Sequence, residues 1–307
     1  MPRSMNRWCC ECGCAAFLLL QACKTQTAAD VPPFVPFEIL YAGEEPRVLL
    51  RYRIVDGTTT TSMVSWRIKP REKGVPTVTV SGLKTMEVTV VLGPAQITED
   101  EIRYDSEIVR SKAVTGAAAS EKLLENIEGH VDFLKGVGAS VVMDDRGRAR
   151  GVTSNQKVSG MPLRLLWVIE NTTSLLSLVK LPDEAVGIGA RWKVRGRLSL
   201  HDVEQLQEAT YTLVERTGDE IVLDVEFERV GDRQVLDFGD AGGRIEVESS
   251  QSQATGRLQL DLTTLGSNAT ASGTLRDRVV IVEGESREKR EINEAYEVRI
   301  RSTSTVR

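Results

Sequence analysis

Cysteine is scarce and confined to the first 23 residues, at Cys9, Cys10, Cys12, Cys14 and Cys23. Beyond Cys23 the chain therefore has no disulfide, no thiolate nucleophile and no cysteine-based zinc site. Histidine is nearly absent, with only His130 and His201. A Ser-His-Asp triad or a zinc hydrolase would have to be built on one of these two. Neither Gly-x-Ser-x-Gly nor His-Glu-x-x-His occurs. Ser-x-x-Lys appears at Ser81/Lys84, Ser154/Lys157 and Ser286/Lys289, but without the Lys-Thr-Gly strand that its chemistry needs. Aromatic residues are few, at 5%, which argues against stacking platforms for sugars or bases. The net charge of −5 and the lack of a basic run with interleaved aromatics argue against nucleic acid. No apolar run approaches the roughly 20 residues that span a bilayer as a helix.

What the start of the chain does hold is a basic opening, Arg3 and Arg7, then a short small or apolar run from Gly13 to Leu20. Such a run before a small residue marks a secretory signal, removed from the mature protein. The dense tract Cys9-Cys10-Glu11-Cys12-Gly13-Cys14 also admits a thiolate metal cluster, but the second cysteine pair of a tetrahedral site is missing. Signal peptide is the preferred reading, with no metal site and no cofactor.

Leu20-Gln21-Ala22-Cys23 resembles the lipobox of bacterial lipoproteins. The resemblance implies cleavage after residue 22, acylation of the Cys23 sulfur, and a membrane anchor of several acyl chains. Lys24 occupies the place where Asp resembles an inner-membrane retention signal, so the implied destination is the outer membrane of a Gram-negative cell. Residues 23–36 then form a tether, with Pro32, Pro33 and Pro36 favouring extended backbone. Removing the first 22 of 307 residues leaves 285, enough to bury about three-quarters of the unfolded surface.

Residues 37–307 read as β-rich. Val48, Leu50, Tyr52 and Ile54 alternate with Leu49, Arg51 and Arg53. Asp56-Gly57 is a hairpin signal before Thr58–Thr61. Met86, Val88 and Val90 alternate, Ile102 to Val109 forms a further strand, and Asp144–Gly147 should turn a hairpin between 139–143 and 149–153. Downstream, Ile221, Leu223, Val225 and Phe227 face one way and Glu220, Asp224, Glu226 and Glu228 the other. Leu258, Leu260 and Leu262, and Tyr296, Val298 and Ile300, repeat the pattern. Such alternation predicts antiparallel sheet with one buried and one wet face. Two stretches change period and predict helices near 120–135 and 161–181, the first ending at Gly136 and the second at Pro182. The two strand-rich blocks admit a relation as duplicated halves.

The expected fold is therefore α+β: a mostly antiparallel, curved half-open sheet or barrel wrapping two helices. Leu181-Pro182-Asp183-Glu184-Ala185-Val186-Gly187-Ile188-Gly189-Ala190-Arg191-Trp192 is similar to a signature of uncharacterised secreted bacterial lipoproteins. The layout also resembles lipoprotein-carrier proteins, in which a curved sheet and helices hold acyl chains. That resemblance implies a non-enzymatic protein binding a lipid or other apolar ligand, lined by Leu134 from the first helix and Leu166, Trp167, Ile169 and Leu176 from the second; the same residues also suit plain core. The alternative is a structural or interaction lipoprotein of the envelope, docking a protein through sheet edges or the wet face, and a third reading is a hydrolase with an unrecognised site.

Overall fold

A computed structural model of the protein describes residues 37–70, 83–115, 134–154, 178–200, 203–231, 233–237, 244–283 and 286–306. In chain order its strands are β1 (Phe37–Tyr41), β2 (Thr58–Pro70), β3 (Leu83–Leu92), β4 (Gln96–Ile97), β5 (Ile102–Thr115), β6 (Gly138–Met143) and β7 (Ala149–Ser154). They continue with β8 (Arg191–Leu200), β9 (Val203–Thr217), β10 (Glu220–Gly231), β11 (Gln234–Asp237), β12 (Arg244–Asp261), β13 (Ser267–Glu283) and β14 (Ser286–Val306). All fourteen join one antiparallel sheet whose main path runs β1-β8-β9-β10-β12-β13-β14-β2-β3-β5-β6-β7. β1 and β7 are its two edges, so the sheet is not closed.

The fold class is therefore all-β, which corrects the expected α+β architecture. No helix occurs among the described residues, and the sheet wraps none there. Most of 120–135 and 161–181 lies outside the described residues, but their ends do not. Leu134–Gly136 form a turn, with Val137 N–H donating to Leu134 O at 3.1 Å. Gly136 takes a left-handed φ of +84°, the conformation expected of it at a helix end and used here in a turn. Leu178–Leu181 has no regular secondary structure, and Leu181 N–H donates to Arg146 O at 2.9 Å. A short apolar run fits a buried extended segment as well as a helical stripe. The hairpin at 144–147 forms as expected, joining β6 to β7.

Within the strands the alternation holds. Ile221, Leu223, Leu258, Leu260, Tyr296, Val298 and Ile300 are buried, whereas Glu220, Glu226, Arg257, Glu297 and Arg299 are exposed or half-exposed. Trp66 and Trp192 are the largest fully buried side chains. Trp66 meets Tyr296 at 5.9 Å between ring centroids, and Trp192 stacks on Tyr211 at 5.6 Å.

The stretch Val48–Ile54 alternates as expected, with Leu50, Tyr52 and Ile54 buried, yet it is not a strand of the sheet. It belongs to a crossing segment, residues 42–57, that runs over one end of the sheet and bonds to one turn after another. Val48 pairs with Val186, Tyr52 N–H donates to Asp145 O at 2.7 Å, Arg53 N–H to Leu262 O at 2.8 Å, and Gly57 N–H to Ala95 O at 2.8 Å. These backbone donors are thus satisfied by turn carbonyls instead of a ladder. This closed end gathers the β6–β7, β9–β10 and β12–β13 turns. It also brings the two sheet edges together: the Arg148 guanidinium, beside β7, lies 5.8 Å from the centroid of the Phe37 ring on β1.

Candidate docking face

The outer face of the sheet carries the polar half of every alternation, and register decides what meets there. β10, β12, β13, β14 and β2 pair so that Asp224, Arg257, Thr270, Arg299 and Ser65 form one cross-strand row. Glu226, Thr255, Ser272, Glu297 and Arg67 form the next. These ten side chains line an open trough of about 730 Å³. With strands about 4.8 Å apart, five strands give a width of about 19 Å.

The floor is low because its central strand, β13, carries only hydroxyls, Thr270 and Ser272, with Thr255 beside them on β12. The walls are ionic. On one side Arg257 grips Asp224 with two hydrogen bonds, Nε to Oδ1 at 2.8 Å and Nη2 to Oδ2 at 3.3 Å, and these hold the Asp224 carboxyl below its usual range. On the other side Lys69 Nζ donates to Glu297 Oε1 at 2.5 Å, with Arg67 at 3.6 Å. The Lys69 hydrogen bond and charge, with further help from Arg67 and Arg299, lower the Glu297 pKa. Glu226 and Arg299, on opposite walls, make no ion pair among the described residues. One anion and one cation thus remain available to a partner across a hydroxyl floor. Behind that floor the Trp66–Tyr296 contact gives a rigid backing.

The inner face turns polar toward the far ends of β9, β10, β12 and β14. Arg229 is buried, donates from Nη2 to Gln207 Oε1 at 3.0 Å and lies 5.2 Å over the Phe227 ring. Tyr296 OH and Ser252 Oγ share a hydrogen bond of 3.1 Å. These contacts satisfy polar groups where the apolar core ends.

The Leu181–Trp192 stretch has a structural job. Leu181, Val186, Ala190 and Trp192 are buried, and Trp192 Nε1 donates to Lys180 O at 2.9 Å. Asp183 pairs with Arg146 and, at 2.5 Å, with Arg148, while Arg51 donates to the Pro182 and Asp183 carbonyls at 2.8 and 3.0 Å. Burial alone would raise the Asp183 pKa, but the Arg148 hydrogen bond and the charges of Arg148, Arg146 and Arg51 outweigh it and hold the carboxyl below its ordinary value. A lowered folded pKa means stability that is present above the unfolded pKa of about 3.9 and lost as pH falls through the folded value. Thermal melts of Asp183→Asn against the parent should therefore show a gap that is constant at neutral pH and closes below about pH 4. A gap that persists undiminished in acid would show that the pairing adds nothing.

Of the site residues read from the sequence, Leu134 is fully buried as core. Cys23, Leu166, Trp167, Ile169 and Leu176 lie outside the described residues, as do His130 and His201. Among the Ser-x-x-Lys pairs, Ser81 and Lys157 also lie outside them. Lys289 donates to Glu248 at 3.2 Å on exposed strand surface. Two carboxylates in turns are engaged locally: Asp144 Oδ1 accepts from the Arg146 and Arg148 backbone, both at 2.9 Å, and Glu101 pairs with Arg103 and Arg150. The charged trough residues are legible one by one as wet-face positions, but no local signal aligns Arg257 with Arg299 across 42 residues of chain. No helix among the described residues is long and apolar enough to cross a membrane. No protein-family model matches this chain, and no curated protein is similar to it.

Proposed function

We propose that this chain is a non-enzymatic bacterial lipoprotein, anchored to the outer membrane through Cys23, that docks an envelope protein across the trough on its outer face. The observation that supports docking is the pair of cross-strand rows that set Glu226 against Arg299 over a hydroxyl floor, neither in an ion pair among the described residues. A mixed-charge lining selects a partner ridge bearing both signs, and such complementarity sets specificity and register. Hydroxyls on the floor donate and accept equally well, which suits a polypeptide with exposed amides and polar side chains.

A photo-cross-linking residue at Ser272, in cells of the native host, should yield one discrete adduct, and one at Val109 on β5 should not. Arg299→Gln in the same background should weaken adduct formation about tenfold, equivalent to ~1.4 kcal/mol, with the melting temperature within about 2 °C of the parent because Arg299 is exposed and in no ion pair among the described residues. Adducts of equal yield at Ser272 and Val109 would count against the trough.

The second reading is that the protein holds a lipid or other apolar ligand. It is supported by the half-buried inner wall of Val225, Ala254, Ala269 and Ala271 beside the core. Native mass spectrometry decides between the readings: a co-purifying lipid favours this one, and a ligand-free mass favours docking.

A further inference from the structure

The closed end of the sheet carries side chains that its polar turns do not call for. Tyr41, Leu49, Val55, Ile97, Ile188 and Val306 are each between 37% and 60% exposed. They stand on β1, the crossing segment, β4, the loop before β8, and the last residue of β14. The connections are explicit: Glu44 N–H donates to Ile188 O at 2.9 Å, Val48 pairs with Val186, Ile97 N–H donates to Asp56 Oδ1 at 3.0 Å, and Val306 pairs with Thr58. Exposed large apolar residues gathered at one pole mark a contact surface, whereas single ones need no explanation.

The length of chain before β1 says what that surface meets. Fourteen residues, 23–36, separate the start of the lipobox cysteine from Phe37. A stretch of that length reaches at most about 50 Å. It enters β1, and β1 ends in Tyr41, already part of the apolar pole. The opposite pole lies along strands as long as 21 residues, about 70 Å end to end. We infer that the closed end is a second membrane contact: its apolar rim seats in the interface of the bilayer that holds the acyl chains, with the trough held clear of the lipid. This rests on the lipid anchor of the proposed function. Glu44, Glu45, Glu99 and Asp100 border the rim alongside Arg47 and Arg53, so the seat is apolar and not electrostatic. It should be indifferent to salt and to anionic lipid.

The chain has no cysteine after Cys23, and acylation blocks that thiol, so single-cysteine variants can be labelled cleanly. Acylated protein carrying an environment-sensitive fluorophore at Leu49→Cys, Ile188→Cys or Leu206→Cys would be reconstituted on phosphatidylethanolamine–phosphatidylglycerol vesicles containing brominated lipid. Leu206 is 54% exposed toward the far end of the sheet and serves as the apolar control. Quenching at Leu49 and Ile188, none at Leu206, and the same result in high salt are expected. Protein that is acylated and floats with vesicles but shows no quenching at positions 49 and 188, or equal quenching at 206, overturns the second contact and leaves the anchor standing. Protein whose mass shows no acyl chains and which does not float overturns both.

Discussion

Gly187→Ala is expected to lower stability by about 3 kcal/mol, at the upper end of overpacking costs, and the melting temperature by roughly 10 °C. A Cβ at Gly187 would lie 1.6 Å from Glu44 O and 2.8 Å from Glu44 C, both backbone atoms that no rotamer change can move. The reciprocal contact is also close, since a Cβ at Gly43 would lie 2.3 Å from Gly187 O. Two backbones cross here with no side chain between them. Forcing them apart also strains three contacts that fasten the crossing segment: Gly187 N–H to Ala42 O, Glu44 N–H to Ile188 O, and the Val48–Val186 bridge. The comparison is Gly189→Asn, where φ is +80° but the nearest atom to a new Cβ is 3.9 Å away. Asparagine tolerates that backbone, so its cost should stay below about 1 kcal/mol. Denaturant melts of both variants test the pair, and equal midpoints for Gly187→Ala and the parent would mean that the crossing is not close.

On the proposed lipid anchor, Cys23→Ser is expected to abolish membrane association. The acyl-transfer chemistry of lipoprotein maturation needs a sulfur nucleophile, and a serine hydroxyl at neutral pH is not one. Each buried methylene contributes about 0.8 kcal/mol to membrane binding. One chain holds only marginally and several hold stably, so the unacylated chain should lose more than about a hundredfold in membrane fraction. Flotation of envelopes together with intact-mass measurement reads both steps. Native protein recovered with Met1 in place and a free Cys23 thiol would defeat the anchor and with it the envelope assignment. The apolar pole at Leu49 and Ile188 would not by itself rescue binding, because a few half-exposed side chains bury far less area than acyl chains.

Much of the sheet is legible in the sequence. Period-two alternation assigns the buried and wet faces of β10, β12 and β14 correctly, since the face of a residue in a strand depends only on its own position in the pleat. The β6–β7 hairpin is legible for the same reason: Asp144–Gly147 is a local signal, and its caps, Asp144 Oδ1 to the Arg146 and Arg148 amides, lie within four residues. The helix expectations at 120–135 and 161–181 lie mostly outside the described residues, and the pieces that are described, Leu134–Lys135 and Leu178–Leu181, are not helical. At Leu178–Leu181 the bonding partners are Arg146 O and the Trp192 indole, contributed by separate segments that no local window on the sequence brings into contact.

Composition and local pattern alone determined that the chain beyond Cys23 is cysteine-free and that β10, β12 and β14 are antiparallel strands with one wet face. They pointed to an α+β fold, and the tertiary structure replaced it with a single all-β sheet. Only the tertiary structure decided that Val48–Ile54 crosses the turns of the sheet instead of joining it, because alternation reports burial and is silent on hydrogen-bond partners. Tertiary structure also decided the order in which strands lie. β14 pairs with β2 across more than two hundred residues, and that pairing sets Arg67 opposite Glu297 and Ser65 opposite Arg299. Register between distant strands is a property of the whole packed sheet, set when every inner side chain finds the core at once. That is why the trough is written in no single stretch of the chain.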